Sequence, residues 1–373
     1  MTLMTWTCRW VSELAPRRGF ARICRAWCWL ALICFILPSS AIAQSISGVG
    51  FSAIEVDDPV GGGKMPGFVF YPSAEPKGFT KIGPYELKAT ADAAALPGPK
   101  PLVVISHGHA GTDLGHHDLA TYLASHGFVV AAITHPKDNF RDSSGDGQAI
   151  VLGGRPRQIS ATMSYLLGSE RWKPLVDADR IGVAGFSNGG YTALLLVGAE
   201  PQFIALPRHC SLHPDDKNVC VPLAKLEASA AHDHGSIERL IEDLQHDLTT
   251  WGNTRDPRVK AAFVMAPFSS VFDAAGIAHI DRPVFLYYAQ HDQVLLPRYN
   301  ALHIAPLIKT LAGLRMVPNA GHYVFLSPCS TELAKESPDL CKDPPGTDRI
   351  AVHRQIEDSA LAFFREALRV RSR

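Results

Sequence analysis

The chain has 373 residues, 36 Lys and Arg against 36 Asp and Glu, and 46% apolar residues. That length suits one large domain with an insertion, or two modest ones. The charge balance gives no electrostatic case for nucleic acid or an anionic membrane as partner, the apolar content is ordinary for a globular enzyme, and low-complexity tracts and repeats are absent.

Arg17, Arg18, Arg22 and Arg25 precede an apolar stretch from Ala26 to Leu37, which Pro38-Ser39-Ser40-Ala41-Ile42-Ala43 follows. A positive n-region, an h-region and an A-x-A site in this order predict a signal peptide cleaved after Ala43. The apolar run is too short to span a bilayer comfortably, so residues 44–373 are expected as a periplasmic or secreted chain with no stable membrane anchoring. Five of the 36 basic and one of the 36 acidic residues lie in the leader, which leaves 330 residues with a formal charge of −4. Four of the eight cysteines leave with it, and Cys210, Cys220, Cys329 and Cys341 remain. An even count at short separation in an exported chain reads as two disulfides. Three connectivities are possible; the local pairs, Cys210 with Cys220 and Cys329 with Cys341, are preferred because each closes a small loop. Neither pair has the C-x-x-C spacing of a zinc site.

In chain order, Gly67–Pro72 predicts an early strand, and Pro97-Gly98-Pro99-Lys100-Pro101 a break. Leu102–Ser106 is an unbroken apolar run of the kind a parallel sheet buries on both faces. It ends in the loop His107-Gly108-His109-Ala110-Gly111, with a helix over His116–Ser125 and a strand over Phe128–Thr134. A glycine-rich loop (Ser143–Gly154) and a helix (Arg155–Leu167) follow. Asp179–Ala184 then predicts a buried strand and Tyr191–Val197 a helix. Residues 200 to about 257 break the rhythm and carry a helix-like acidic segment, Ser236–Leu248. They exceed ordinary αβ connections and are expected to form a lid over the sheet edge. Alternation resumes with strands Val259–Met265 and Pro283–Tyr288, a helix Pro297–Ala312, a strand Leu314–Val317 and a last helix Asp348–Leu368. Strands alternating with helices imply an α/β fold, with a mostly parallel central sheet and helices on both faces.

Between the strand ending at Ala184 and the following helix stands Gly185-Phe186-Ser187-Asn188-Gly189-Gly190. A G-x-S-x-G in that position is a nucleophile elbow, tight enough that its flanking positions take only glycine-sized residues. A helix N-terminus beneath the serine favours developing negative charge. A hydroxyl is a poor nucleophile at neutral pH and needs a base, and the base needs an acid to hold its tautomer. Strand Pro283–Tyr288 runs into a loop ending at Asp292, and strand Leu314–Val317 runs through Asn319-Ala320-Gly321 into His322. Ser187, Asp292 and His322 are therefore the candidate nucleophile, acid and base, with Asp273 as rival acid. The amides of Asn188, after the nucleophile, and His109, between glycine-rich neighbours, are the candidate oxyanion donors. His107, His109, His116 and His117 lie close in sequence but lack an H-E-x-x-H pattern. Nor does G-K-[ST] follow the glycines at 145–154, so neither metal nor cofactor is expected.

Val104-Ile105-Ser106-His107-Gly108, the stretch Gly185 to Leu194 and Asn319-Ala320-Gly321-His322 together resemble an α/β-hydrolase. More narrowly the chain resembles, from about Gly67 to Phe364, exported bacterial proteins called predicted dienelactone hydrolases, relatives of the platelet-activating factor acetylhydrolases. The resemblance implies Ser187, His322 and Asp292 as triad, His109 and Asn188 as oxyanion amides, and a lid at 200–257 after the nucleophile helix. It departs at Phe186, where relatives often have histidine, and at His109, where an apolar residue is common; both are expected at the mouth of the site. A serine at the elbow, export and a lid argue against the literal dienelactone substrate. The expectation is a serine carboxylesterase acting on a small-molecule ester, with a peptidase or amidase on the same triad, or a non-catalytic binding protein, as alternatives. No oligomeric state follows from the sequence.

Overall fold

The computed structural model describes residues 45–221 and 237–370. The expected signal peptide and the middle of the insertion lie outside the described residues. The strands are β1 Gly48–Asp57, β2 Lys64–Ser73, β3 Thr80–Ile82, β4 Tyr85–Leu87, β5 Thr90–Ala91, β6 Lys100–Ser106, β7 Val129–Ile133, β8 Val176–Phe186, β9 Val259–Met265, β10 Val284–Ala289 and β11 Leu311–Val317. Nine of them form one sheet in the order β11-β10-β9-β8-β6-β7-β2-β1-β5, and β3 and β4 pair separately. From β7 to β11 every pairing is parallel, whereas β2 joins β7 and β1 antiparallel.

Burial explains the parallel part. β7 is buried throughout and β6 at all but its first residue, as a sheet covered on both faces requires. Side chains alternate between two cores. Leu102 and Val104 join one core with Ile159 and Leu195, while Val103 and Ile105 join the other with Leu123 and Phe364. Helices Gly154–Gly168 and Asn188–Leu196 thus cover one face, and His117–Ser125 and Arg349–Ala367 the other. The chain leaves β6 toward one face and β8, its neighbour, toward the opposite face. This is the topological switch point, where strand ends open a crevice.

Most expected elements are present within a few residues. The helix expected over Pro297–Ala312 is a correction: the segment is a 3-10 turn Pro297–Tyr299, a short helix Ala301–Ile304 and a second 3-10 turn Ala305–Leu307. Pro306 has no N–H for an i→i−4 bond, so the helix cannot propagate through it. The loop expected over Ser143–Gly154 holds a short helix, Ala149–Leu152, and β1 is an addition to the expected strands.

In the described parts of 200–257 the chain forms a 3-10 turn Phe203–Ala205 and helices Leu206–Leu212 and Ile237–Thr250. Leu240, Ile241, Leu244 and Leu248 recur at helical spacing. Ile241 is buried in the core beneath, and Leu244 and Leu248 pack against it. Polar ties reach the loop after β10, where Asn218 Nδ2 donates to the Gln293 carbonyl at 2.5 Å and Arg298 pairs with Asp215. Both disulfides are formed, Cys210–Cys220 and Cys329–Cys341.

Candidate active site

Ser187 sits at the corner between β8 and the helix Asn188–Leu196 with φ 56° and ψ −118°. A non-glycine residue there is strained, and it persists only where its surroundings over-determine the backbone. They do so here. The Ser187 amide donates to the Met265 carbonyl at 3.0 Å, and its own carbonyl accepts from Tyr191 at 3.0 Å and Phe268 at 3.2 Å. The glycines make the corner possible. A Cβ at Gly185 would lie 2.0 Å from the Gly189 carbonyl oxygen, one at Gly189 1.9 Å from that of Ser106, and one at Gly190 2.9 Å from Pro267 Cα.

His322 and Asp292 arrive from the ends of β11 and β10. His322 Nδ1 donates to Asp292 Oδ2 at 2.7 Å, with the residues 4% and 2% exposed. The carboxylate can only accept, so Nδ1 carries the proton and Nε2 is the lone-pair nitrogen. Asp292 Oδ1 accepts from the amides of Val294 at 2.9 Å and Leu295 at 2.8 Å, which fixes the carboxylate. The two loops are pinned together by His291 N–H donating to the Ala320 carbonyl at 2.9 Å. Asn319 makes the preceding turn in the left-handed region, φ 51°, a conformation asparagine tolerates. Asp273 is engaged elsewhere, accepting from the Gly276 amide at 2.7 Å as cap of the helix Ala274–Ile277.

The imidazole of His322 packs on Phe186, ring centroids 4.7 Å apart. Phe186, expected at the mouth, is instead buried behind the serine, where Phe325 and His116 also pack on it. Its ring packs against the imidazole from the side. Neither the Ser187 hydroxyl nor His322 Nε2 has a hydrogen-bond partner among the described residues. The sequence therefore brings Asp292 to His322 and His322 to the residue next to Ser187, while the hydroxyl and the imidazole share no direct bond in this structure.

The loop after β6 lies against the serine, since a Cβ at Gly108 would meet Ser187 Cβ at 3.3 Å and Phe186 at 3.0 Å. Its peptide planes are set from within. His107 Nδ1 donates to the Gly108 carbonyl at 2.7 Å, and His107 Nε2 accepts from the His135 amide at 3.0 Å. Burial, reinforced by the Arg155 charge, pushes the His107 pKa down to about 3, so the ring stays neutral as that pattern requires. In a trans peptide the N–H points opposite the C=O. Holding the Gly108 carbonyl inward therefore turns the His109 N–H outward. The amides of His109 and Asn188 meet no acceptor among the described residues.

The four clustered histidines diverge. His107 bonds to Gly108, His109 to Asp138, His116 packs on Phe186 and His117 on Tyr85. Sequence reasoning missed Asp138 and Arg155, which are buried beneath the site and ion-paired at 2.5 Å. The only available signal was position, because Asp138 follows the C-terminal end of β7.

Ser187, Asn188 and His109 open on a cavity of about 820 Å³. Its far wall comes from the insertion, including Phe203, Leu206, Leu244 and Trp251; Phe268 and Leu295 come from the sheet side. Asp146, Asp243 and Asp247 also line it.

No family model matches the chain. Over 106 residues the chain is 35% identical to cutinase est1 and cutinase est2 of Thermobifida alba, covering 28% of this chain and 32% of each relative. The match thus spans about a third of those relatives' length. In structure the chain is similar to ferulic acid esterase from Streptomyces cinnamoneus, with a TM-score of 0.56 at 20% identity over 89% of this chain and 94% of that one. With the sheet order and helix placement above, this defines the class: the chain has the α/β-hydrolase fold.

Proposed function

We propose that the chain is an exported serine hydrolase cleaving carboxylic esters through an acyl-enzyme. The observation that carries the reading is the buried, oriented His322–Asp292 pair packed beside a strained Ser187 that opens on an apolar cavity. The names of the cutinases and of the ferulic acid esterase point to ester chemistry on related chains.

Ser187 Oγ adds to the ester carbonyl carbon while its proton passes to His322 Nε2 and the carbonyl π pair moves to oxygen. This step needs the hydroxyl and imidazole to close to hydrogen-bond distance, and catalytic hydrogen bonds commonly tighten only around bound substrate. The amides of His109 and Asn188 receive the oxyanion. When it collapses the alkoxy C–O bond breaks, and His322 gives its proton to the leaving alcohol. Water then repeats the addition with His322 as base, releasing the acid and restoring Ser187.

The insertion at 200–257 acts as a lid that supplies the binding wall. Its apolar lining beside three carboxylates suits a bulky neutral ester and disfavours an anionic one. The motifs around Ser106, Ser187 and His322 favour the dienelactone hydrolase-like and platelet-activating factor acetylhydrolase-like exported esterases as the finer grouping. The two disulfides agree with an oxidising compartment, and no described helix is long and apolar enough to cross a membrane.

The test is a panel of p-nitrophenyl esters, neutral and carboxylate-terminated, with matching anilides. Wild type should hydrolyse the neutral esters and take a fluorophosphonate label, and Ser187→Ala should lose both, about 10⁶-fold in kcat. Turnover of anilides without esters, or no turnover and no label, would overturn the reading.

A further inference from the structure

β6 and β8 pair up to Ser106 and Gly185, and beyond that point no ladder fixes how far apart their loops stand. Yet the two proposed oxyanion amides lie beyond it, His109 on the loop after β6 and Asn188 at the first residue of the helix after β8. One side chain bonds to both residues. Asp138, on the loop after β7 and completely buried, accepts at Oδ1 from His109 Nδ1 at 2.6 Å and from the Ala110 amide at 3.1 Å. At Oδ2 it accepts from Asn188 Nδ2 at 3.3 Å and from Arg155 Nη1 at 2.5 Å.

Arg155 carries the same frame onward. It donates to the His107 carbonyl, to Ser106 Oγ at 3.1 Å and to Thr192 Oγ1 at 3.3 Å, touching the β6 loop and the elbow helix together. Burial alone would push the Asp138 carboxyl up, but the Arg155 charge and the bonds from His109 and Ala110 hold it well below the usual carboxylate range. A buried ion pair is poor evidence for stability, because well-packed apolar residues often do as well. What apolar residues cannot do is bond four donors on different segments at fixed angles.

We propose that Asp138, braced by Arg155, is a positioning residue that sets the separation of the His109 and Asn188 amides, so that the side chains of both affect the rate through it. The proposal rests on the reading of Ser187 as nucleophile. Their backbone donors survive any substitution but proline, so main-chain roles alone predict no effect of side-chain removal.

Asp138→Asn would leave Arg155 unpaired in the interior and risks unfolding. The experiment therefore removes its half-exposed partners, with His109→Ala, Asn188→Ala, the double variant and His109→Gln, which keeps an N–H donor. Each alanine should lower kcat about tenfold with KM within about twofold, since small misplacements of oxyanion donors are costly. Affinity for a boronic acid, whose tetrahedral adduct mimics the intermediate, should fall in parallel. The double variant should fall no further than the worse single one, because either cut already releases the pair, and His109→Gln should recover most of the rate. Changes confined to KM, multiplicative losses in the double variant, or unchanged rates would overturn the clamp. Wild-type turnover and fluorophosphonate labelling on the same preparation separate the two failures. An inert wild type sinks the hydrolase reading and the clamp with it; an active one with indifferent variants sinks the clamp alone.

Discussion

Ser187, Asp292 and His322 hang from the ends of three parallel strands, and backbone bonds fix each: Met265, Tyr191 and Phe268 around the serine, Val294 and Leu295 on the carboxylate, Ala320 to His291 between the loops. The opposite wall of the cavity, from the described parts of residues 200–257, is held differently. Helix Ile237–Thr250 rests on apolar packing at Ile241, Leu244 and Leu248, and Ile204, Leu212 and Val221 nearby are exposed. The sheet side is set by directed bonds beside each of the three residues, whereas the insertion rests mainly on apolar area with a few polar ties, Asn218 to Gln293 and Arg298 to Asp215. Chemistry demands the first, because a reacting group must sit within a fraction of an ångström. Binding a bulky apolar group needs only the second. Substitutions on the sheet side should therefore act on kcat, and those on the insertion side on KM.

The largest effect within this contrast concerns the proposed acid. Asp292→Asn should lower kcat about 10⁴-fold, because the amide favours the wrong imidazole tautomer while keeping the shape. Asp273→Asn should leave kcat within about twofold and cost at most about 1 kcal/mol, as for a helix cap. Steady-state kinetics with a neutral ester and urea unfolding of both variants would check this, and the reverse ranking would move the acid to Asp273. On the other side of the cavity the expected loss is smaller and of another kind. Trp251→Ala should raise KM for a bulky ester about tenfold, leaving kcat and the KM of an acetate ester nearly unchanged. A fall in kcat for the acetate would mean that the insertion also shapes the reacting corner.

The same contrast governs what could be read in the sequence. The elbow was legible because Gly185, Gly189 and Gly190 each face backbone where no side chain fits, and β6, β7 and β9 because nearly every residue in them is buried. Asp292 and His322 were legible as polar residues closing strand-to-loop transitions. β1 was not: Gly48, Gly50 and Ser52 dilute its apolar signal, although it pairs with β2 along its whole length. Asp138 and Arg155 carry no local pattern, since their meaning comes from segments that meet only on folding. Phe186 was misplaced for a related reason. A residue beside a nucleophile can face the substrate or the protein, and here the rings of His116, His322 and Phe325 take it inward.

The smallest effect lies behind the proposed base, where the sheet-side frame depends on a proton. His353, on the last helix, donates through Nε2 to the Val324 carbonyl at 2.8 Å and through Nδ1 to Asp118. Both partners only accept, so both ring nitrogens must carry protons and the ring is cationic. Burial alone would push the His353 pKa down, but the Asp118 charge and these two bonds raise it above its ordinary value. Glu357 beside them is pushed up to about 8, chiefly by burial and then by the Asp118 charge. Both groups hold protons more tightly folded than unfolded. The His353 contribution is thus full below about pH 6.5 and is lost as pH rises through the raised folded value, and Glu357 adds a loss in the same direction up to about pH 8. The buried imidazoles of His107, His116, His117 and His135, held below their ordinary value chiefly by burial, act the opposite way as pH rises through about 6.5. The test is therefore the difference between wild type and His353→Gln in thermal unfolding from about pH 6 to about pH 9. In His353→Gln, which cannot hold a charge between the two acceptors, Tm should lie a few degrees below wild type at about pH 6, and the gap should narrow as pH rises. A gap that is absent or does not narrow would remove His353 from the support of the Val324 segment and leave the base held by Asp292 and Phe186 alone.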